Sequence, residues 1–158
     1  MAIAAVVRLL AFAENAASPF LAVPVLDEIF YDEAARALAH GDLAQLAALN
    51  PGFRPLLYPA LIAVVYVLGG GPAIVIALQH LLGAATAGLV AWCALLLFER
   101  PAAGFFAGLV YALAAPPIFF EGQLLIAATA TFLATVWLAL ALRLAAAETF
   151  AWSGWIAL

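Results

Sequence analysis

Lysine is absent from this sequence, and its only strongly basic side chains are five arginines. With a net charge of −4, that excludes the basic patch on which a nucleic-acid partner depends. Cysteine is nearly absent as well. Cys93 stands alone in an apolar run, which rules out an intramolecular disulfide framework and a cysteine-rich metal site. It reads as a packed core thiol. The phosphate-binding loop GxxxxGK, the GxGxxG turn, HExxH, GxSxG and CxxC are all missing. Charge itself is scarce, at 9% of 158 residues, against 70% hydrophobic residues and a mean hydropathy of +1.21. A soluble domain has about one quarter charged residues. Packing in water cannot hide this much apolar surface in so short a chain, so the class is an integral membrane protein.

Long apolar runs are what the chain has instead. Residues 72–98, 101–120 and 122–142 are uncharged over 27, 20 and 21 positions. Each meets the roughly 20 residues that a helix needs to cross a bilayer. Gly104 and Gly108 form a GxxxG, and Gly83/Ala87 and Ala84/Gly88 are small residues four apart, spacings that let helices approach closely. A shorter run, 56–68, is stopped by Gly69-Gly70-Gly71-Pro72. As a helix it covers about 20 Å against a hydrocarbon core of about 30 Å, so it crosses only if the glycines join it. The first run, 1–13, is short for a span, is interrupted by Arg8, and lacks the cleavage pattern of a removed signal peptide. Ser18-Pro19 and Pro24 break any extension of it. Another apolar run begins at Phe150. Both ends read as cut from a longer membrane protein.

Half of the 14 charged residues lie in 27–59: Asp27, Glu28, Asp32, Glu33, Arg36, Asp42 and Arg54. Residues 28–40 read as a short amphipathic helix. Phe30, Ala34, Ala37 and Leu38 share one face, and Asp32, Glu33 and Arg36 lie opposite. Asp27 is the expected N-cap and Gly41 the expected C-cap. A second short helix, 42–49, ends at Asn50-Pro51-Gly52. Such helices suit the interface plane of a membrane. If 56–68 does not cross, Arg100 and Arg143 share one face of the membrane, and Asp27 and Glu121 share the other. The positive-inside rule then makes the arginine face cytoplasmic. Length and charge agree on that topology.

Several residue groups carry candidate chemistry, each beside an ordinary explanation. Asp27-Glu28 with Asp32-Glu33 is the densest acid cluster. A carboxylate there serves as a general base or holds a divalent cation; the ordinary role is a solvated helix N-terminus. Arg54 at the foot of an apolar run suits a bidentate phosphate grip, or simple snorkelling to head groups. Tyr58 is a hydrogen-bond donor or an interfacial anchor. Glu121 is an exposed turn acid unless it faces the Asp27 loop. Gln79-His80, inside a span, is expected to bond a neighbouring helix; a proton relay lacks a second buried ionisable group nearby in sequence. His40 is a helix-end cap.

The order VPVLDEIFYDEAARALAHGD, FRPLLYP, LQHLLGA and FERPAAGFFAGLVYALAAPPIFFEG resembles the N-terminal part of bacterial GT-C glycosyltransferases. These are the polyprenyl-phosphate-sugar-dependent enzymes akin to protein O-mannosyltransferases and lipid A aminoarabinose transferases. The resemblance covers 18–145, and the order and spacing of short motifs carry it. Asp27, with Glu28 and Tyr31, matches the family's essential acid after its first span. The element around Arg54 and Tyr58 matches its lipid-phosphate side. Glu121 matches a second acid in the next extracytoplasmic loop. Leu56 replaces a common proline, Ile76 a common arginine, and the acid at 121 is often Asp.

The resemblance implies an all-α, polytopic transmembrane helix bundle in the bacterial inner membrane. Short amphipathic interfacial helices would lie in a first extracytoplasmic loop over about 27–55. It also implies transfer of a sugar from a polyprenyl-phosphate donor to an acceptor hydroxyl of a glycan, lipid or protein. In that scheme Asp27 is the general base, Glu28 and Glu121 orient the acceptor or a divalent cation, and Arg54 and Tyr58 hold the lipid phosphate. The competing class is a non-enzymatic polytopic membrane protein, a transporter component or an assembly subunit. A transporter calls for buried ionisable residues within the spans, and along the sequence the spans hold almost none.

Overall fold

A computed structural model describes residues 2–16, 18, 23–49, 52 and 54–156, with side chains as far as 146. Among these residues every regular element is a helix. They are α1 (Ala2–Ala16), α2 (Asp27–His40), α3 (Leu43–Leu49), α4 (Leu57–Val67), α5 (Pro72–Phe98), α6 (Pro101–Leu113), α7 (Ala115–Glu121) and α8 (Ala127–Ile156). The expected breaks at Pro19 and Asn50-Pro51, and the environment of the apolar run from Phe150, lie outside the described residues and side chains. The backbone is helical up to Ile156, so that run continues α8 and does not begin a new element.

Among the described residues two helices are long and apolar enough to cross a membrane, Pro72–Phe98 and Ala127–Ala146, with mean hydropathies of 2.2 and 1.6. A third crossing is available if α6 and α7 act as one bent span. The bounds of α5 are those expected from the sequence. Pro72 stands in the first turn, where a missing N–H costs nothing. The turn before it needs its glycines: Gly69 has φ 85°, and a Cβ at Gly70 would lie 2.6 Å from Val65 Cγ1 and 2.9 Å from Val65 O.

The expected single span 101–120 is instead broken. α6 and α7 meet at 53° around Ala114, whose ψ of 118° leaves the helical region. The cause is Pro116-Pro117. Neither proline has an N–H, so the carbonyls of Ala112 and Leu113 lose their helical donors. The expected span 122–142 likewise starts late, at Ala127, because 122–126 forms a loop.

α5 is the central element. α1 and α6 run antiparallel to it, and α8 runs parallel on another side. The antiparallel contact uses the GxxxG. A Cβ at Gly104 would lie 2.8 Å from Ala91 O, and one at Gly108 would lie 2.8 Å from Ala91 Cβ. Large apolar side chains such as Leu81, Phe105, Val110 and Trp137 face outward, as a lipid-facing surface requires.

α2 and α4 pack on each other beside the first turns of α5. Ala35, Tyr58, Ile62, Val75 and Leu124 form the core there. Tyr58, at the start of α4, reaches Gln79, about 10 Å along α5 from Pro72. So α4 doubles back against the N-terminal part of α5 and does not run its length. α2 ends as expected: Gly41 has φ 71°, its N–H donates to Leu38 O, and Asp42 N–H donates to Ala37 O. Asp42 also caps α3 by accepting from Gln45 N–H at 2.9 Å.

Two local expectations for α2 fail. Asp27 is the first helical residue and not the cap; Leu26, at φ 52°, precedes it without a side-chain cap. Asp32 is not on the solvent face. It is buried against α4, where Tyr66 Oη–H donates to it and Arg36 pairs with it at 2.9 Å.

Leucine at Gly108 is expected to overpack the α5–α6 contact and destabilise the fold by about 1–3 kcal/mol. The thermal unfolding midpoint of the detergent-solubilised protein measures this. Gly71→Ala is the control, since a Cβ there meets nothing within 4 Å.

Candidate functional site

Pro116 sets the site in motion. The Ala112 carbonyl that it deprives of a helical donor is taken up by Arg8 Nη1–H at 3.3 Å. The other arm of the same guanidinium, Nη2–H, donates to Glu121 Oε1 at 2.8 Å. Arg8 and Glu121 are only 2% and 1% exposed. Neither is tolerable alone in an apolar interior, and together they neutralise each other. His80 Nδ1 lies 3.3 Å from the second oxygen, Glu121 Oε2. Gly83, one turn further along α5, makes room, because any Cβ there would overlap the Glu121 carboxylate. Arg8 also sits over the Tyr111 ring, and Phe12 meets the His80 ring edge-on.

The neighbouring loop 122–126 is pinned by three side chains. Gln79 Nε2–H donates to Glu121 O at 3.0 Å and to Gln123 O at 2.6 Å, while its Oε1 accepts from Tyr58 Oη–H at 2.6 Å. Asn15 Nδ2–H donates to Gly122 O at 2.8 Å. Glu28 Oε1 accepts from Leu124 N–H at 2.7 Å, and Oε2 accepts from Val25 N–H at 3.0 Å. A cleft of about 560 Å³ lies between the end of α1, the start of α2, His80 and the 118–123 segment.

The five sequence-predicted site residues therefore divide. Asp27 is 68% exposed, and its Oδ1 accepts from Arg54 Nη2–H at 3.1 Å; Arg54 also lies over the Phe30 ring. Those two are brought together across 27 positions. Glu28 and Glu121 reach the same end of the fold as expected, but both are buried, and all four of their oxygens are engaged within the protein. Glu121 is not the exposed turn acid of the ordinary explanation. Tyr58 is corrected outright: it is 2% exposed and its hydroxyl is held by Gln79, so it is a strut between α4 and α5 and not a phosphate ligand. Among the described residues no three His, Cys, Asp or Glu side chains converge to hold a metal ion. A divalent cation, given for Glu28 and Glu121 as the alternative to orienting the acceptor, does not fit this donor set.

Arg8 is the residue that sequence reasoning missed, while Gln79 and His80 bond a neighbouring segment as expected. Arg8 was visible as a charge interrupting an apolar run, the kind of intramembrane ion that calls for a partner. Its partners lie 104 and 113 positions away, beyond any local pattern. No family model, curated protein or solved structure matches the chain.

Breaking the Arg8–Glu121 pair from one side leaves a buried charge. Arg8→Met is expected to cost about 3–5 kcal/mol, and the double variant Arg8→Met/Glu121→Leu to recover much of that loss. A double-mutant cycle on unfolding free energy tests this. Alkaline pH probes the α2–α4 contact. Burial, and then the bond to Asp32, push the Tyr66 phenol above its ordinary range; burial does the same to Tyr58. The folded state keeps these protons where the unfolded chain loses them. Their stabilisation is therefore whole below pH about 10 and is lost as pH rises beyond it. Tyr66→Phe should lose about 1 kcal/mol at neutral pH and show a shallower alkaline decline in unfolding midpoint.

Proposed function

We propose that this chain is the N-terminal, membrane-embedded part of a GT-C type glycosyltransferase. It moves a sugar from a polyprenyl-phosphate donor to an acceptor hydroxyl on the extracytoplasmic face of a bacterial inner membrane. The observation that carries the reading is the Asp27–Arg54 pair, an accessible carboxylate against a guanidinium at 3.1 Å. Base and phosphate partner are the two groups that such a transfer needs side by side. Glu28, next to Asp27, lines the neighbouring cleft.

The step follows from those groups. Asp27 takes the proton of the acceptor hydroxyl. The acceptor oxygen attacks the anomeric carbon with inversion, and the bond to the phosphate oxygen breaks with its electron pair. Arg54 leaves Asp27 for the departing phosphate and offsets its charge. That exchange frees the carboxylate as the donor binds. Glu28 and Glu121 act as positioning residues, since their oxygens hold Leu124, Val25, Arg8 and His80.

In this reading the end of the fold that carries Asp27 and Arg54 lies outside the cell. Arg100 follows α5, and Arg143 stacks on Trp92 near that same far end. The reading sets that far end on the cytoplasmic side, with Arg36 and Arg54 at the other.

A second reading, a transporter component or another non-enzymatic polytopic membrane protein, is favoured by one observation. Arg8, His80 and Glu121 form a buried ionisable cluster among apolar helices, which is what a transport pathway uses. Transfer of labelled sugar from polyprenyl-phosphate donors, in membranes carrying the complete protein, separates the two. Asp27→Asn is expected to lower transfer by about 10²–10⁴-fold while membrane insertion is unchanged. Wild-type transfer by that variant would remove Asp27 from its role, and no transfer by the parent would leave the second reading standing.

A further inference from the structure

Arg36 and His40 take no part in the transfer described above, yet both face one cavity. They lie one turn apart on α2 and, with the Gly70-Gly71 turn, line a space of about 370 Å³. Arg36 is fixed from two sides. Its Nε–H donates to Asp32 Oδ2 at 2.9 Å, and its guanidinium lies over the Tyr66 ring. Among the described residues nothing accepts from its Nη1 or Nη2. No carboxylate lines the cavity, and Asp32 behind it has both oxygens engaged, by Tyr66 and Arg36. Gly71 leaves the space open, since a Cβ there would meet nothing within 4 Å. A fixed guanidinium with two free nitrogens, beside an imidazole, suits an anion that offers two oxygens.

A second cavity, of about 390 Å³, adjoins the first at the last turn of α4. Val65 lines the second and Tyr66 the first, and a Cβ on Gly70 would collide with Val65. The second cavity runs between α4 and α5 to Leu82, with Thr129 of α8 beside it. Leu61, Val75 and Leu78 make its wall apolar. Tyr58 and Gln79 also line it, but their polar atoms are spent on each other and on the loop 122–126. From Gly71 to Leu82, α5 rises roughly 16 Å. That is about half of a 30 Å hydrocarbon core, the depth of one leaflet. A helix, at least about 10 Å across, is too broad for this groove.

We propose that the two cavities form one site for an anionic phospholipid of the surrounding bilayer. Its phosphodiester accepts from Arg36 Nη1 and Nη2 beside His40, and one acyl chain lies along the α4–α5 groove. A zwitterionic headgroup would bring an ammonium to Arg36 and His40, with no carboxylate in the lining to receive it. The site goes beyond the transferase reading and does not rest on it. Neither Asp27 nor Arg54 lines either cavity, and Asp27 is about 13 Å from Arg36 along α2.

Lipid retention by the complete protein in detergent, read by native mass spectrometry, tests this. Phosphatidylglycerol and phosphatidylcholine of matched acyl chains are supplied in equal amounts. Phosphatidylglycerol is expected to be retained about tenfold more, the worth of one charge-assisted hydrogen bond. Gly71→Asp sets a carboxylate in the headgroup cavity, at an N-cap position where aspartate is favoured and the fold is kept. It should abolish the preference. Leu78→Trp, at an exposed position of the groove, should lower retention of both lipids about tenfold. If that variant does not fold, Gly71→Asp alone decides. Equal retention of the two lipids by the parent overturns the site, as does unchanged retention in a folded variant. Displacement of phosphatidylglycerol by excess inorganic phosphate marks a free-anion site and overturns the lipid. Retention of a polyprenyl phosphate in preference to phosphatidylglycerol, lost in Gly71→Asp, gives the cavity to the sugar donor and overturns the proposal as well.

Discussion

One carboxylate, buried at the meeting of α1, α5 and α7, governs this end of the molecule. Glu121 can stay charged there only because Arg8 faces it, and Arg8 is itself tolerable only because Glu121 pairs with its Nη2 and the Ala112 carbonyl accepts from its Nη1. The carbonyl is available because Pro116 withdraws a helical donor. The space is available because residue 83 is glycine. A proline, a glycine and two charges, far apart along the chain, thus form a single physical unit. Removing either charge leaves the other buried without compensation.

From this unit the loop 122–126 inherits its position. Gln79 and Asn15 grip its carbonyls, and Glu28 grips the Leu124 amide, so α2 is tied to the far part of the chain by a buried carboxylate. The consequence for chemistry is a division of labour between adjacent acids. Glu28 is committed to holding the loop, which leaves its neighbour Asp27 exposed on the first turn of α2, within reach of Arg54. A rigid floor and a movable ion pair at its edge suit a site where one charged partner is exchanged for another. The same buried floor is also the strongest feature in favour of a transport role, because it sets ionisable groups among apolar helices.

Much of the helical plan was legible in the sequence. Glycine and proline punctuation placed α5 between Pro72 and Phe98, and Gly41 ended α2, because those signals are local and steric. The GxxxG of α6 did what its spacing suggests, packing on Ala87 and Ala91. The failures also have physical causes. Pro116-Pro117 breaks the expected span 101–120, since hydropathy counts apolar residues and ignores missing donors. The α2 face pattern put Asp32 outside, since periodicity does not reveal that Tyr66 and Arg36 will satisfy a carboxylate turned inward. Tyr58 looked like an interfacial donor, and its hydroxyl instead meets Gln79.

Composition and hydropathy alone pointed to helices long and apolar enough to cross a membrane: about one residue in ten is charged, and a chain in lipid must satisfy its backbone within each helix. Local spacing determined where most helices begin and end. Only the tertiary structure decided which charges are buried and which are accessible. Arg8, His80 and Glu121 lie far apart in sequence, and become one site because ion pairing in an apolar interior acts through space, for Arg8 and Glu121 across 113 positions.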